Sequence, residues 1–540
     1  PARCATARRE AFSINLVTAM GLGLAIDYSL FVVSRFREEL ARGRSVEDAV
    51  VRTVETAGRT VAFSALTVAV SLAALLIFPL YFLRSFAYAG VGVILVAMFA
   101  SVVSLPALLA VLGHRVDRWR VRRERSAVGG GMWHKVAAGV MRRPLTVAIT
   151  GVILLLVAGL PFLGVEFGVP DDRVLPEGDP AREVSETLRS DFDSAESNAF
   201  SIVATGAPAD DVVEAYAVAV AGVDGVARVD TVTGRYVDGV LVAPADRSLV
   251  GHRVDAAVRF NVVPGVEPIS PEAETMVAEI RDLGNEFHDA DEFDTIAVGG
   301  QSASLVDSKD AIFALVPWAA LWIAGATFVL LFLMFGSLLV PLKAIVLNTL
   351  SLTATFGAMV WIFQDGHGSG WLGFTPTGLT DTTTPILMFC IAFGLSMDYE
   401  VFLLSRMKEE YDRTGDNELA VATGLEKTGK LVTAAALLLS ITFFAFATSG
   451  VTFIKLFRLG LGLAVLVDAF IVRATLVPAL MKLAGSWNWW APKPPRRHHD
   501  HIGISESVPV EAVLLPAGDP NPDATIERAA DAVEEVGTPV

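Results

Sequence analysis

Cysteine is almost missing from this chain: Cys4 and Cys390 are the only two in 540 residues. Two cysteines cannot build a disulfide framework, and both read as packing residues, Cys390 within an apolar run. Positive charge is also short. Lys and Arg number 43 against 59 Asp and Glu, and a formal net charge of −16 is no nucleic-acid signature. Charge of either sign is scarce, at 19%, while 53% of residues are apolar and the mean hydropathy is +0.52. A soluble multidomain protein of this length would be less apolar, so the composition describes an integral membrane protein.

Complete catalytic motifs are lacking too. Gly424 to Leu431 (G-L-E-K-T-G-K-L) nearly forms a phosphate-binding loop, but Leu431 stands where a magnesium-holding Ser or Thr is needed. Its first-half counterpart at 53 to 60, T-V-E-T-A-G-R-T, marks it as a duplicated loop entering a membrane helix. Without a nucleotide site, energy has to come from a gradient. His498, His499 and His501 around Asp500 lie in a polar tail and read as a solvated run. No nucleophilic triad or metal cluster stands out, so no enzyme activity, metal or other cofactor is expected.

What is present is a repeat. Residues 21 to 40, GLGLAIDYSLFVVSRFREEL, return at 392 to 411 as AFGLSMDYEVFLLSRMKEEY. The shared pattern D-Y-x-x-F-x-x-S-R-x-x-E-E sets Asp27, Tyr28, Phe31, Ser34, Arg35, Glu38 and Glu39 against Asp398, Tyr399, Phe402, Ser405, Arg406, Glu409 and Glu410. A self-match of this length marks an internal duplication. An isolated acid in a membrane-spanning helix is expensive and functional by default. Arg35 lies eight residues beyond Asp27, about 12 Å along a helix, so with Arg35 at the interface the acid is near the middle of the apolar layer. Tyr28 can donate a hydrogen bond to such an acid. A proton relay needs these parts; the bland alternative is a structural Asp satisfied by a hydroxyl.

The hydropathy pattern predicts about nine spans: near 12 to 33, 60 to 82, 87 to 112, 144 to 165, 310 to 335, 338 to 363, 383 to 405, 431 to 450 and 456 to 484. Basic loops at Arg35 to Arg59, Arg115 to Arg143 and Arg406 to Lys430 place those ends in the cytoplasm, and Gln364 to Asp381, without Lys or Arg, falls outside. The domains expected are therefore 1 to 143, the later part of a first transmembrane half with its basic loop; 144 to 165, the first span of the second half; 166 to 309, an extracytoplasmic domain; 310 to 485, five further spans; and 486 to 540, a disordered cytoplasmic tail. In the acidic domain, helices at 181 to 191 and 210 to 221 alternate with strands at 199 to 204, 226 to 233, 238 to 243, 254 to 263 and 295 to 298. A further helix opens at Ser270-Pro271-Glu272. The alternation resembles a split β-α-β, ferredoxin-like domain.

The paired motifs, the L-P-A-L-L run at 105 to 109 echoed by V-P-A-L-M at 477 to 481, and the large outer loop resemble the MmpL family of the resistance-nodulation-division (RND) superfamily over about residues 10 to 485. The resemblance implies two pseudo-symmetric six-span halves, each with a porter domain, of which about nine spans and one domain are expected here. The chain reads as truncated at its front, lacking roughly 230 residues of the repeat. It implies a bacterial cytoplasmic-membrane exporter of lipids or other hydrophobic molecules, driven by protons. Asp27 with Tyr28 and Asp398 with Tyr399 match the relay pairs, each Asp facing the other helix's Tyr.

Ser64 matches a further polar relay position and begins a stripe with Thr67 and Ser71; interhelical packing explains such a stripe equally well. Asp468 and Arg473, in the last span, can neutralise each other or support the relay. Gly21, Gly23 and Gly394 are expected to let the two central helices approach closely. Partners implied are a lipid substrate, membrane lipids, protons and a missing N-terminal fragment. The competing readings are a non-pumping lipid sensor or scaffold, and an inactive remnant.

Overall fold

The computed structural model describes residues 2–117, 131–169, 171–191, 196, 198–446 and 450–492, with side chains from residue 20 onward. The histidine cluster and the acidic tail lie outside these residues, as do Arg118 to Arg125 of the second basic loop.

Eight helices among the described residues are long and apolar enough to cross a membrane. They are α2 (Val46–Ile77), α3 (Tyr81–Val116), α5 (Pro144–Gly164), α9 (Gln301–Phe335), α10 (Leu339–Gln364), α11 (Thr383–Thr414), α12 (Asn417–Phe446) and α13 (Thr452–Trp489). The ninth expected span falls on α1 (Ala2–Ala41), a continuous helix that carries the first copy of the motif. Between the halves, α4 (Met132–Arg142) packs Trp133, Ala137 and Val140 inward.

Two of the basic loops are largely helix. Arg35 and Arg37 belong to α1, Arg52 and Arg59 to α2, and α11 runs to Thr414 with α12 starting at Asn417. Charge density marks where a helix leaves the apolar layer, not where it ends. Ion pairs one turn apart, Arg35 with Glu38 at 3.3 Å and Arg406 with Glu409 at 2.8 Å, support the protruding turns. The tail expected from residue 486 begins with an ordered turn, Gly485–Trp489.

Proline shapes the two echoed runs. Pro106 and Pro478 lack an N–H and collide with the carbonyl four residues back. The helix widens at those places into π turns, Ala100–Ser104 in α3 and Asp468–Leu476 in α13.

The α+β domain contains α6 (Pro180–Asp191), α7 (Asp210–Ala221) and α8 (Pro271–Asp289). Its strands are β1 (Phe200–Thr205), β2 (Val226–Thr231), β3 (Gly234–Val237), β4 (Val240–Pro244), β5 (Ala257–Pro264) and β6 (Thr295–Val298). The sheet order is β4-β3-β2-β5-β1-β6, with Ile202 of β1 opposite both Phe260 and Val298. Strands β1 and β2 are thus split by β5, as a ferredoxin-like fold requires. β3 was not separated from its neighbours by the sequence pattern; it belongs to a hairpin extension. Ser270 caps α8, accepting a 3.2 Å hydrogen bond from the Ala273 amide, with Pro271 in the first turn. Tyr216 packs edge-on against Phe260, Phe287 and Phe293 in the core, and burial pushes its hydroxyl pKa up.

The domain is tied to the membrane bundle on both sides. Gly300, at φ +103°, opens α9, and any Cβ there would collide with Phe200. Helix α9 then runs unbroken from the sheet into the bundle. Phe167–Gly168 pairs in parallel with Thr380–Asp381, and Gln364 bonds to Glu166 N at 3.0 Å and Gly164 O at 2.9 Å.

Candidate functional site

The duplicated motif meets itself across α1 and α11. Asp27 and Tyr28 are 5% and 0% exposed, Asp398 and Tyr399 1% and 4%, so all four sit inside the bundle. The Tyr399 hydroxyl donates to Oδ2 of Asp27, a crossed pair between helices far apart in sequence. The reciprocal pair, Tyr28 and Asp398, also lies close enough for its side chains to interact, with Ser64 beside the Tyr28 hydroxyl. Its geometry is poorer: neither the Tyr28 hydroxyl nor Asp398 Oδ1 makes a well-formed hydrogen bond.

One turn further on, Phe31 and Phe402 pack at 4.2 Å between centroids. Beyond them the repeated Arg and Glu form a reciprocal network. Arg406 reaches Glu38 at 3.2 Å and Arg35 reaches Glu409 at 3.8 Å, while each arginine also holds the glutamate three residues along its own helix. Arg35 further donates to Thr56 on α2 at 3.1 Å. The contact between α1 and α11 is therefore made by long side chains.

The glycines act elsewhere than expected. A Cβ on Gly21 would strike Val93 of α3, one on Gly23 would strike Leu439 of α12, and one on Gly394 would lie 3.0 Å from Val68 Cγ1 on α2. They permit close packing of each central helix on its neighbours.

The polar stripe on α2 divides. Ser71 donates to the Cys390 carbonyl at 2.6 Å, an interhelical bond, and Thr67 bonds back to Ser64 O at 2.7 Å. Ser64's hydroxyl is buried beside that of Tyr28 without a well-formed hydrogen bond. Ser71 and Thr67 follow the packing reading.

Asp468 and Arg473 do pair, and the wide helix explains how. Five residues apart on a regular α-helix they would point about 140° away from each other. In the π turn they come to one side, and Arg473 Nη2 donates to Asp468 Oδ2, to Ser396 O, and to Ser396 Oγ at 3.2 Å. The guanidinium also lies 5.0 Å from the centre of the Tyr399 ring, a cation–π contact that joins this pair to the crossed pairs. Its Nε and Nη1 are buried and unpartnered.

Sequence reasoning passed over Glu400 and Lys343. Glu400 is 5% exposed and within electrostatic reach of Arg473, Asp468 and Lys343. The repeat hid it, because the first copy has Ser29 at that place; an acid in an apolar run was the signal available. Among the described residues, no group of His, Cys, Asp and Glu could hold a metal ion.

The chain is similar to several known membrane proteins. A Streptomyces coelicolor membrane protein is 40% identical over 507 residues, covering 94% of this chain and 67% of its own. The trehalose monomycolate exporter MmpL3 of Mycobacterium tuberculosis is 35% identical over 529 residues, covering 92% of this chain and 54% of its own. The mycolic acid-containing lipids exporter MmpL11 of Mycolicibacterium smegmatis is 31% identical, covering 89% and 50%. The chain thus spans about half the length of these two exporters. In fold, it resembles the hedgehog release protein Disp of the water bear Hypsibius dujardini, with a TM-score of 0.57 at 13% identity, over 87% of this chain and 63% of that one. The MMPL family model matches residues 5–147 and 173–508, and the chain belongs to the MMPL family of RND-type membrane proteins.

Proposed function

We propose that the chain serves proton-driven export of lipids or other hydrophobic molecules across a bacterial cytoplasmic membrane, with the α+β domain on the outer side. The observation that carries this reading is the Tyr399–Asp27 hydrogen bond inside a duplicated, membrane-embedded motif. The printed activities of MmpL3 and MmpL11 support a lipid cargo.

The chemistry follows from which atoms can exchange protons. Ionised Asp27 accepts the Tyr399 hydroxyl; a protonated Asp27 has an O–H of its own and no longer requires that donor. Loading Asp27 therefore weakens the closed cross-pair and frees Tyr399. Asp398, near Tyr28 and Arg473, offers the second seat. Alternation between the two cross-pairs changes how α1 lies against α11, and relative movement of the two halves is the motion alternating access needs. Arg473 with Asp468 holds Tyr399 from behind, and Ser64 stands ready to bond Tyr28. The cargo, protons and membrane lipids are the partners of this cycle, together with an N-terminal segment that supplies the remaining length of the relatives.

The test is proton movement and export of a fluorescent lipid in sealed vesicles carrying the chain, alone and with that N-terminal segment supplied. Asp27→Asn and Asp398→Asn are each expected to lower both signals roughly 100-fold or more. Proton-coupled export that survives in both variants would overturn the proposal.

A further inference from the structure

The polar residues that lead away from the crossed pairs belong to the second half. Glu400 on α11 has Ser29 as its first-half counterpart, and Asp468 and Arg473 on α13 have Val96 and Ser101 on α3. A cavity of about 10 Å³, lined by Asn348, Ser351, Ser396, Tyr399 and Asp468, lies beside the relay. That is close to the smallest space a water occupies. Asn348 is 1% exposed, and its Oδ1 is unpartnered.

Below this, Lys343 stands one turn into α10, near the cytoplasmic end. Its Nζ donates to Asn488 Oδ1 at 2.7 Å and approaches Met481 Sδ at 2.8 Å. Asn488 belongs to the turn that leaves the last span, yet it is fully buried. Its side-chain amide donates to Met481 O and Gly485 O, both at 2.7 Å, and its main-chain carbonyl accepts the Ser337 hydroxyl at 2.6 Å. Asn417 closes the clasp, donating to Met481 O at 3.0 Å and accepting from Trp489 Nε1 at 3.1 Å. An open hollow of about 520 Å³ adjoins it, with Asn417, Gly485, Ser486 and Lys482 in its lining. A buried acid, a cation pinned by a buried amide, and an open hollow thus follow one another from the relay to the cytoplasmic helix ends.

We propose that protons leave the crossed pairs for the cytoplasm by way of Glu400, and that Lys343, held by Asn488, is the fixed cation at the mouth of that route. The proposal rests on the proton-coupled reading above. Glu400 carboxylate takes the proton that the aspartate–tyrosine group gives up, forming one O–H bond as another breaks. It then passes that proton to water reaching it from the hollow. Lys343 does not carry the proton; its charge favours ionised Glu400 and so opposes return of the proton. Arg473 and Asp468 from α13 lie within electrostatic reach of the same carboxylate, and their opposite charges largely offset each other. Lys343 is a positioning residue in this scheme, acting through Glu400.

The test compares variants for proton flux in sealed inside-out vesicles carrying the full chain. Lys343→Met, which keeps the stem and removes the charge, is expected to lower flux at least tenfold. Lys343→Arg is expected to stay within threefold of the parent, and Ser29→Ala, at the first-half counterpart of Glu400, to leave flux unchanged. Because Lys343→Met can fail to insert, Lys343→Cys is made in a chain with Cys4→Ser and Cys390→Ser. Aminoethyl methanethiosulfonate added from the cytoplasmic side then rebuilds an ammonium at that place and is expected to restore flux. Full labelling without recovery overturns the proposal. So does wild-type flux in Lys343→Met while Asp27→Asn is dead, an outcome that leaves the relay itself standing. Flux that persists in Asp27→Asn instead removes the reading on which this proposal rests.

Discussion

The two copies of one motif sit in different surroundings. On α1, Leu22, Ile26 and Leu30 form a stripe that is 56%, 38% and 38% exposed, whereas their counterparts on α11, Phe393, Met397 and Val401, are 2%, 0% and 0% exposed. Helix α11 is enclosed on every side by α2, α10, α12 and α13. Within the described residues, the D-Y-x-x-F pattern on α1 keeps an apolar stripe uncovered, while that on α11 lies in a protein-lined interior. A buried charge is tolerated only with partners, and α11 has them: Glu400 lies within electrostatic reach of Arg473, Asp468 and Lys343. The repeat sets the chemistry of the crossed pairs, and the partners around α11 let that copy carry a further buried acid.

The comparison breaks most visibly at Arg473 and its first-half counterpart Ser101. Arg473→Met strands Asp468 as a buried acid without its cation, a change of about 3–5 kcal/mol for such pairs. Loss of the folded fraction on heating in detergent, followed by size-exclusion chromatography, is expected to come many degrees earlier in this variant. Joint replacement, Arg473→Met with Asp468→Leu, should recover much of the loss because no charge is left unpaired. Ser101 is buried with an unpartnered hydroxyl, so Ser101→Ala is expected to change stability by less than about 1 kcal/mol. Equal losses at both positions would mean that enclosure does not separate the halves.

A smaller effect tests the symmetry that remains. The cross-helix contacts Arg406–Glu38 and Arg35–Glu409 are the same pair of residue types read in opposite directions, at 3.2 and 3.8 Å. Double-mutant cycles with Arg→Met and Glu→Gln should give coupling of roughly 0.5–1 kcal/mol for the shorter contact and less for the longer one. Both couplings should shrink as salt rises, since the glutamates are about a third exposed. Couplings of equal size and no salt dependence would contradict the geometry.

How much of this was legible in the sequence depended on whether the signal was local. The crossed pairs were legible because Asp27 and Asp398 each break an apolar run and share a tyrosine neighbour. Ser270-Pro271 gave the start of α8, since capping is a property of adjacent residues. Glu400 was not legible from the repeat, because a self-match reports what two copies share and is silent on what one has added. The Asp468–Arg473 pair was visible as two charges, but its geometry required the π turn before Pro478, which α-helical periodicity does not describe. The glycines were read correctly as close contacts and assigned to the wrong partner, because spacing along one helix does not say which helix it meets. Asn488 lay in a stretch without periodic signal, and only the folded turn brings it to Lys343.

The smallest effect belongs to the α+β domain, where the same contrast between enclosed and open surroundings acts on a single histidine. His252 is partly buried beside Arg259, and desolvation with that neighbouring charge lowers its pKa below the ordinary histidine value. The unfolded chain therefore binds a proton at higher pH than the folded domain does. The stability gained by keeping His252 neutral is fully present above the unfolded value of about 6.5, and it is lost as pH falls from there through the lower folded value. Wild type is expected to lose stability relative to His252→Gln across that window, by less than about 1 kcal/mol, and the two should run parallel above pH 7.5. Proteolysis rate at the domain, read at intervals between pH 5 and 8 with a pH-tolerant protease, measures this. Parallel curves throughout would mean that His252 is solvated as freely in the folded domain as in the open chain.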